Sequence, residues 1–321
     1  MSDLSNMVRS SLLIAAVALI PLTAAGARAQ QFIPDITISS TIPSNGDTNP
    51  YGVAFVPPGF QSGGPLKPRD LLVSNFNNSG GAQGTGTTIV QLRRNGSVAA
   101  PGSAVTFFQG APPPLLGLTT ALGALQGGFV LVGNVPTDSN GVIQQPGSLL
   151  VIDRSGKQKS SITSQLNGPW DLTIDDFIDH ATVFVSNVNT GTVTRLNLAV
   201  SSSKGVSVNS ATVIAQGYTV MLNKTALILG PTGLAHDTTT DILYVASTAD
   251  NVIFAVPNAS SRNTPPDNGK GTIAFQDEHL RGPLALVFAP NGNLITSNGD
   301  AVNADPSGGP RNRDHERRLI R

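Results

Sequence analysis

Four asparagines close one recurring type of apolar segment: Leu72-Val73-Ser74-Asn75, Val130-Leu131-Val132-Gly133-Asn134, Phe184-Val185-Ser186-Asn187 and Leu294-Ile295-Thr296-Ser297-Asn298. Carboxamide oxygens are hard donors. A ring of them with Asp171 could coordinate Ca²⁺, making Asn134, Asn187 and Asp171 its candidate ligands, or could hydrogen-bond a sugar. Asparagine also caps turns through its own side chain. Repetition in every unit favours that second reading, because a site needs asymmetry. Tyr51, Trp170 and Thr232 sit in the turns that open the partner segments. Trp170, the sole tryptophan, reads equally as a stacking platform or as ordinary packing.

Other chemistry is sparse. The histidines are His180, His236, His279 and His315. His236-Asp237, and His279 beside Asp277 and Glu278, could exchange protons, although turn or packing duty explains both. Asp175-Asp176 and Asp179-His180 form an acidic cluster that reads as a solvated loop or a surface Ca²⁺ site. The chain has no cysteine, which excludes thiolate metal sites, a cysteine nucleophile and disulfide staples. No G-x-S-x-G, H-E-x-x-H or phosphate-binding loop occurs.

The elements that must position these residues repeat every 50 to 60 residues. A Gly/Asn-Pro turn opens an apolar strand, and a second strand ends in Ser-Asn: Asn49-Pro50-Tyr51-Gly52, Gly168-Pro169-Trp170-Asp171, Gly230-Pro231-Thr232-Gly233 and Gly282-Pro283-Leu284-Ala285, with a degenerate copy at Leu116-Gly117-Leu118-Thr119. Proline suits a strand's first residue, which can spare its amide donor. Third strands alternate in polarity, as in Thr192-Val193-Thr194-Arg195-Leu196, and weaker fourth strands follow, as in Ala211-Thr212-Val213-Ile214-Ala215. Four antiparallel strands per repeat, stacked so that neighbours cover each other's apolar faces, predict an all-β propeller. About four and a half blades of a six-bladed type are expected. Because strand direction alternates, the asparagines and the opening turns share one rim, and the acidic cluster takes the opposite one.

The Pro-x-Gly-Leu/Val-Ala strand (Pro50 to Ala54, Pro231 to Ala235), Tyr244-Val245-Ala246-Ser247 and Asn251-Val252-Ile253 resemble secreted NHL-repeat propellers over roughly residues 45–300, and more loosely the gluconolactonase-like six-bladed family. The resemblance implies architecture, not chemistry, since such folds host enzymes, binders and scaffolds. The lactonase-like enzymes hold their catalytic metal through an early glutamate with Asn and Asp from other blades. This chain has no glutamate before Glu278; Asp47 would have to substitute.

Charge is balanced at 20 basic and 20 acidic residues, with no basic patch among aromatics, so nucleic acid is not an expected partner. Residues 1–29 read as a signal peptide: Arg9, an apolar run from Leu12 to Leu22, then Ala27-Arg28-Ala29 as the cleavage pattern. An uncleaved anchor is the alternative. Residues 30–44 form a lead-in and 45–307 the propeller, giving a secreted or periplasmic protein with no membrane span after cleavage. Residues 308–321 crowd five arginines into positions 311–321 and read as a basic tail outside the blades. That composition suggests a frameshift or early stop, or else a tail that binds an anionic partner. A shortened ring would self-associate, be marginally stable, or be a damaged copy without function.

The expected function is a non-catalytic exported scaffold that binds a protein, peptide or carbohydrate through Tyr51, Asn75, Asn134, Trp170, Asp171, Asn187 and Asn298. The alternative is a Ca²⁺-dependent lactonase-like hydrolase or lyase.

Overall fold

In the computed structural model, the described residues are 38–299 except 94–96, 112–115 and 224, together with the backbone of 317–320. The expected signal peptide and most of the lead-in lie outside them. Among the described residues, no helix is long and apolar enough to cross a membrane.

The chain is an all-β propeller. Blade 1 comprises β1 (Thr48–Phe55), β2 (Leu71–Asn77), β3 (Thr88–Leu92) and β4 (Val105–Gln109). Blade 2 comprises β5 (Leu118–Leu125), β6 (Phe129–Asn134), β7 (Ser148–Asp153) and β8 (Gln158–Ile162). Blade 3 comprises β9 (Pro169–Asp176), β10 (His180–Asn187), β11 (Thr192–Ser201) and β12 (Gly205–Gln216). A hairpin, β13 (Met221–Asn223) with β14 (Leu227–Leu229), precedes blade 4: β15 (Pro231–Asp237), β16 (Ile242–Ser247), β17 (Val252–Pro257) and β18 (Thr272–Phe275). Blade 5 shows β19 (Pro283–Phe288), β20 (Leu294–Asn298) and β21 (Arg317–Ile320). Strands pair antiparallel in chain order within each blade. The first strands pack successively, β1 on β5, β5 on β9, β9 on β15 and β15 on β19, and so form the inner ring.

Four residues of the segment read as a tail, Arg317–Ile320, pair with Leu294–Ser297 as a third strand. Any backbone can fill an open ladder edge, whatever the composition of its side chains. Residues 308–316 lie outside the described ones. The hairpin β13–β14 was also not expected.

Blade 2 is packed on both faces, and the alternation of its strands decides which residue faces which neighbour, whereas Val53 and Phe55 of blade 1 and Val287 of blade 5 stand exposed. In blade 2, Val130, Val132, Leu150 and Ile152 join Leu72, Ile89 and Phe108 of blade 1. Their sequence neighbours Phe129, Leu131, Leu149 and Val151 point the other way, onto Val183, Val185, Leu196 and Leu198 of blade 3. Phe184 then turns towards Leu234, Leu243 and Val245 of blade 4. The outer strand β8, with residues 158–161 exposed, needs no apolar pattern.

The inner strands approach closely. All five carry an irregular register near their start, following the first residue in four of them and Pro50 in β1. In blade 1 this leaves Gly52 donating its N–H to Ser74 Oγ at 3.0 Å, while Ser74 Oγ donates to Thr119 O of blade 2 at 2.9 Å. A Cβ at Gly52 would lie 2.4 Å from Ser74 Oγ and 2.7 Å from Thr120 O.

Leu131→Ala should therefore cost about 2–5 kcal/mol by leaving a cavity between blades 2 and 3. Leu222→Ala on the hairpin, at 80% exposed, should stay within about 0.5 kcal/mol. Urea unfolding of both variants checks the contrast.

Candidate functional site

The asparagines share one task. Each lies at or within two residues of the end of a second strand, and its side chain catches the segment entering the same blade. Asn134 Oδ1 accepts from Gly117 N at 2.9 Å, Asn187 Oδ1 from Asn167 N at 3.0 Å, and Asn298 Oδ1 from Arg281 N at 2.9 Å. Asn187 Nδ2 donates to Thr194 Oγ1, and Asn298 Nδ2 to His279 O. In blade 1, Asn75 Nδ2 donates to Thr41 O and Thr88 Oγ1, and its buried Oδ1 has no protein partner. Asn75 and Asn187 are fully buried. The Asn134 and Asn187 oxygens each hold a backbone N–H group, and both Asp171 oxygens accept others.

Tyr51 and Trp170 do meet. They belong to blades 1 and 3, which flank blade 2. Trp170 lies edge-on to Phe76 at 5.6 Å and to Tyr51 at 6.1 Å. Val188, Ile228, Ile143 and Leu227 complete an apolar plug at the channel mouth. Trp170 is 2% exposed, so its ring is packing rather than a platform. Burial first, and the nearby Asp171 charge, push the Tyr51 hydroxyl up to about 12, against the lowering effect of its hydrogen bond with Trp170.

Three loops roof this plug. Residues 78–87 of blade 1 and 135–147 of blade 2 meet where Thr137 Oγ1 donates to Gly84 O. Gln83 Nε2 reaches Thr225 O of the hairpin, at 2.7 Å. On this roof Val142, Met221 and Leu222 stand exposed.

Asp171 is where the repeat breaks. The matching inner-strand positions, two residues after Pro50, Leu118, Pro231 and Pro283, hold Gly52, Thr120, Gly233 and Ala285. At this register the side chain points towards the next blade. Asp171 Oδ2 accordingly accepts from Leu234 N of blade 4 at 3.3 Å, and Oδ1 from Leu172 N at 2.8 Å. Its partly buried carboxyl is pushed up to about 7 by desolvation, against those two bonds. It is asymmetric, lies among the inner strands and titrates near neutrality.

The opposite rim carries a network that sequence reading missed. His236, with its side chain 3% exposed, lies between two carboxylates: Nδ1 is 2.8 Å from Asp175 of blade 3, and Nε2 is 3.1 Å from Asp241. Burial alone would lower its pKa, but hydrogen bonding and charge from Asp175, then from Asp241, raise it. Nearby, Arg195 Nη1 crosses to the carbonyls of Ala259 and Arg262 of blade 4. The acidic cluster disperses: Asp175 serves His236, Asp176 accepts from Gln126 N of blade 2, and Asp179 pairs with His180. Among the described residues, no group of three or more His, Asp or Glu side chains is arranged to hold a metal. His279 is about half exposed, near Asp277 and Glu278.

Two pH dependences follow. The folded pKa of Asp171 lies above its unfolded value of about 3.9, so stability should fall as pH rises from about 4 to about 7. Asp171→Asn should match wild type near pH 4 and exceed it above pH 7, by up to roughly 4 kcal/mol at 1.36 kcal/mol per unit. His236 also has a raised folded pKa, so its contribution is complete below about 6.5 and is lost as pH climbs through the folded value. His236→Gln should be less stable than wild type at pH 6, with the deficit shrinking towards high pH. Urea titrations from pH 4 to 9 read both.

No protein-family model matches the chain, and no curated protein matches it. Among solved structures it is similar to a protein of unknown function from Bacteroides caccae (12% identity, 78% of this chain and 71% of that one, TM-score 0.43). It is also similar to virginiamycin B lyase from Staphylococcus aureus (15%, 79% of each chain, TM-score 0.40) and to BamB from Moraxella catarrhalis (14%, 78% and 82%, TM-score 0.36). Likeness at this level carries no chemistry to this chain.

Proposed function

We propose that this protein is an exported binding scaffold whose ligand, a protein or peptide, docks on the loop roof above the channel mouth. The supporting observation is the roof itself. Leu222 is 80% exposed, Val142 56% and Met221 49%, on loops braced to one another over a closed aromatic plug. Large apolar side chains held out on a braced surface suit a partner that buries them. A plugged mouth offers that partner a surface rather than a cleft. The asparagines support the face indirectly, by fixing where each blade begins.

Peptides selected from a random displayed library against the wild-type protein should mostly compete for one site and lose at least tenfold in affinity to Met221→Ser/Leu222→Ser. Selected peptides that bind the double variant undiminished would overturn the reading.

A second reading rests on Asp171, whose position and near-neutral titration suit a general acid or base of a lactonase-like hydrolase or lyase. Lactone turnover that is lost in Asp171→Asn would favour it, and EDTA sensitivity would add the Ca²⁺ requirement.

A further inference from the structure

We infer that the cleft between blades 2 and 3, on the rim opposite the loop roof, binds a multiply charged tetrahedral oxyanion of the phosphate- or sulfate-ester class. The cleft has a volume of ≈ 430 Å³ and is built from the β1–β2 turn of blade 1, the β5–β6 and β7–β8 turns of blade 2, and the β11–β12 turn of blade 3. Three cationic side chains line it, Arg154, Lys159 and Lys204, against one carboxylate, Asp153. None of the three makes an ion pair within 4.0 Å among the described residues.

Asp153, whose charge is felt by Lys159, offsets only one of the three positive charges and is held on its own turn. Its Oδ1 accepts from Ser155 N at 2.9 Å, Ser155 Oγ at 2.6 Å and Lys157 N at 3.1 Å. The guanidinium is aimed rather than free to wander: Arg154 Nη1 donates to Gln61 Oε1 at 2.7 Å, which ties it to blade 1. That bond uses one of its five donors and leaves a fork of the kind that matches phosphate or sulfate oxygens.

Three glycines leave the walls bare. Gly63, Gly128 and Gly205 line the cleft with φ of 107°, 91° and 93°. A Cβ at Gly128 would come within 3.1 Å of Gln61 and 3.5 Å of Arg154 Nη1, crowding the pair that orients the guanidinium. Ser160 and Ser202 add hydroxyl donors. Charge excess, oriented donors and a concave site of small-molecule size converge here. The sequence concealed the site because Arg154 and Lys204 lie 50 residues apart on turns of different blades.

Calorimetric titration of the full chain at 50 mM salt tests this, with inorganic pyrophosphate and a sulfated oligosaccharide as probes, and citrate and a neutral maltooligosaccharide as controls. Saturable binding of pyrophosphate or the sulfated sugar is expected, the stronger of the two identifying the source of the anion. Lys159→Ala/Lys204→Ala changes two exposed positions and should keep the wild-type Tm while weakening that binding at least tenfold. It should also flatten the dependence of log K on log salt. No saturable binding of either probe, equal binding of citrate, or affinity unchanged in the double variant would each overturn the inference. Because the cleft lies away from the roof, Met221→Ser/Leu222→Ser should leave this binding unchanged.

Discussion

Everything in this molecule depends on the fact that a blade cannot be stable alone. A four-stranded sheet with apolar residues on both faces must find two neighbours, and the period-two alternation of Phe129, Val130, Leu131 and Val132 assigns successive side chains to opposite partners. The inner strands therefore come close enough that Gly52 has no room for a methyl group, and the same closeness lets Ser74 and Thr119 bond between blades. The asparagine clasps at blade entry, the plug and the roof follow from that ring.

The two rims differ in character. One is closed: aromatic rings from blades 1 and 3 pack together, and loops tied to one another present apolar side chains to solvent. The other is polar, with His236 held between carboxylates and a cationic cleft between turns. Asp171 lies between the two, a carboxyl placed where the other repeats carry Gly52, Thr120, Gly233 and Ala285.

Sequence reading recovered the architecture because Pro169, Pro231 and Pro283 open strands and Asn134, Asn187 and Asn298 end their partners, with Pro50 and Asn75 each two residues inside theirs, features that depend on local turn chemistry. It missed β8, whose Gln-Lys-Ser-Ser carries no alternation because both faces are wet, and β13–β14, whose strands are three residues each. It left Trp170 undecided, since its ring neighbours Tyr51 and Phe76 are distant in sequence. His236 looked like a turn residue because Asp175 lies 61 positions away on another blade. Interactions between blades have no local signature, and the candidate sites are made of them.

The buried charges have one further consequence, for assembly. Five units that open with nearly the same strand could stack out of order, each offering a similar apolar face to any other, and tandem repeats are prone to such misassembly. Asp175, His236, Asp241 and Arg195 all lie at the junction of blades 3 and 4. A blade stacked anywhere else would bury these groups without their partners, at a cost that apolar faces cannot impose on one another. The network thereby distinguishes the junction of blades 3 and 4 from the apolar junctions around it.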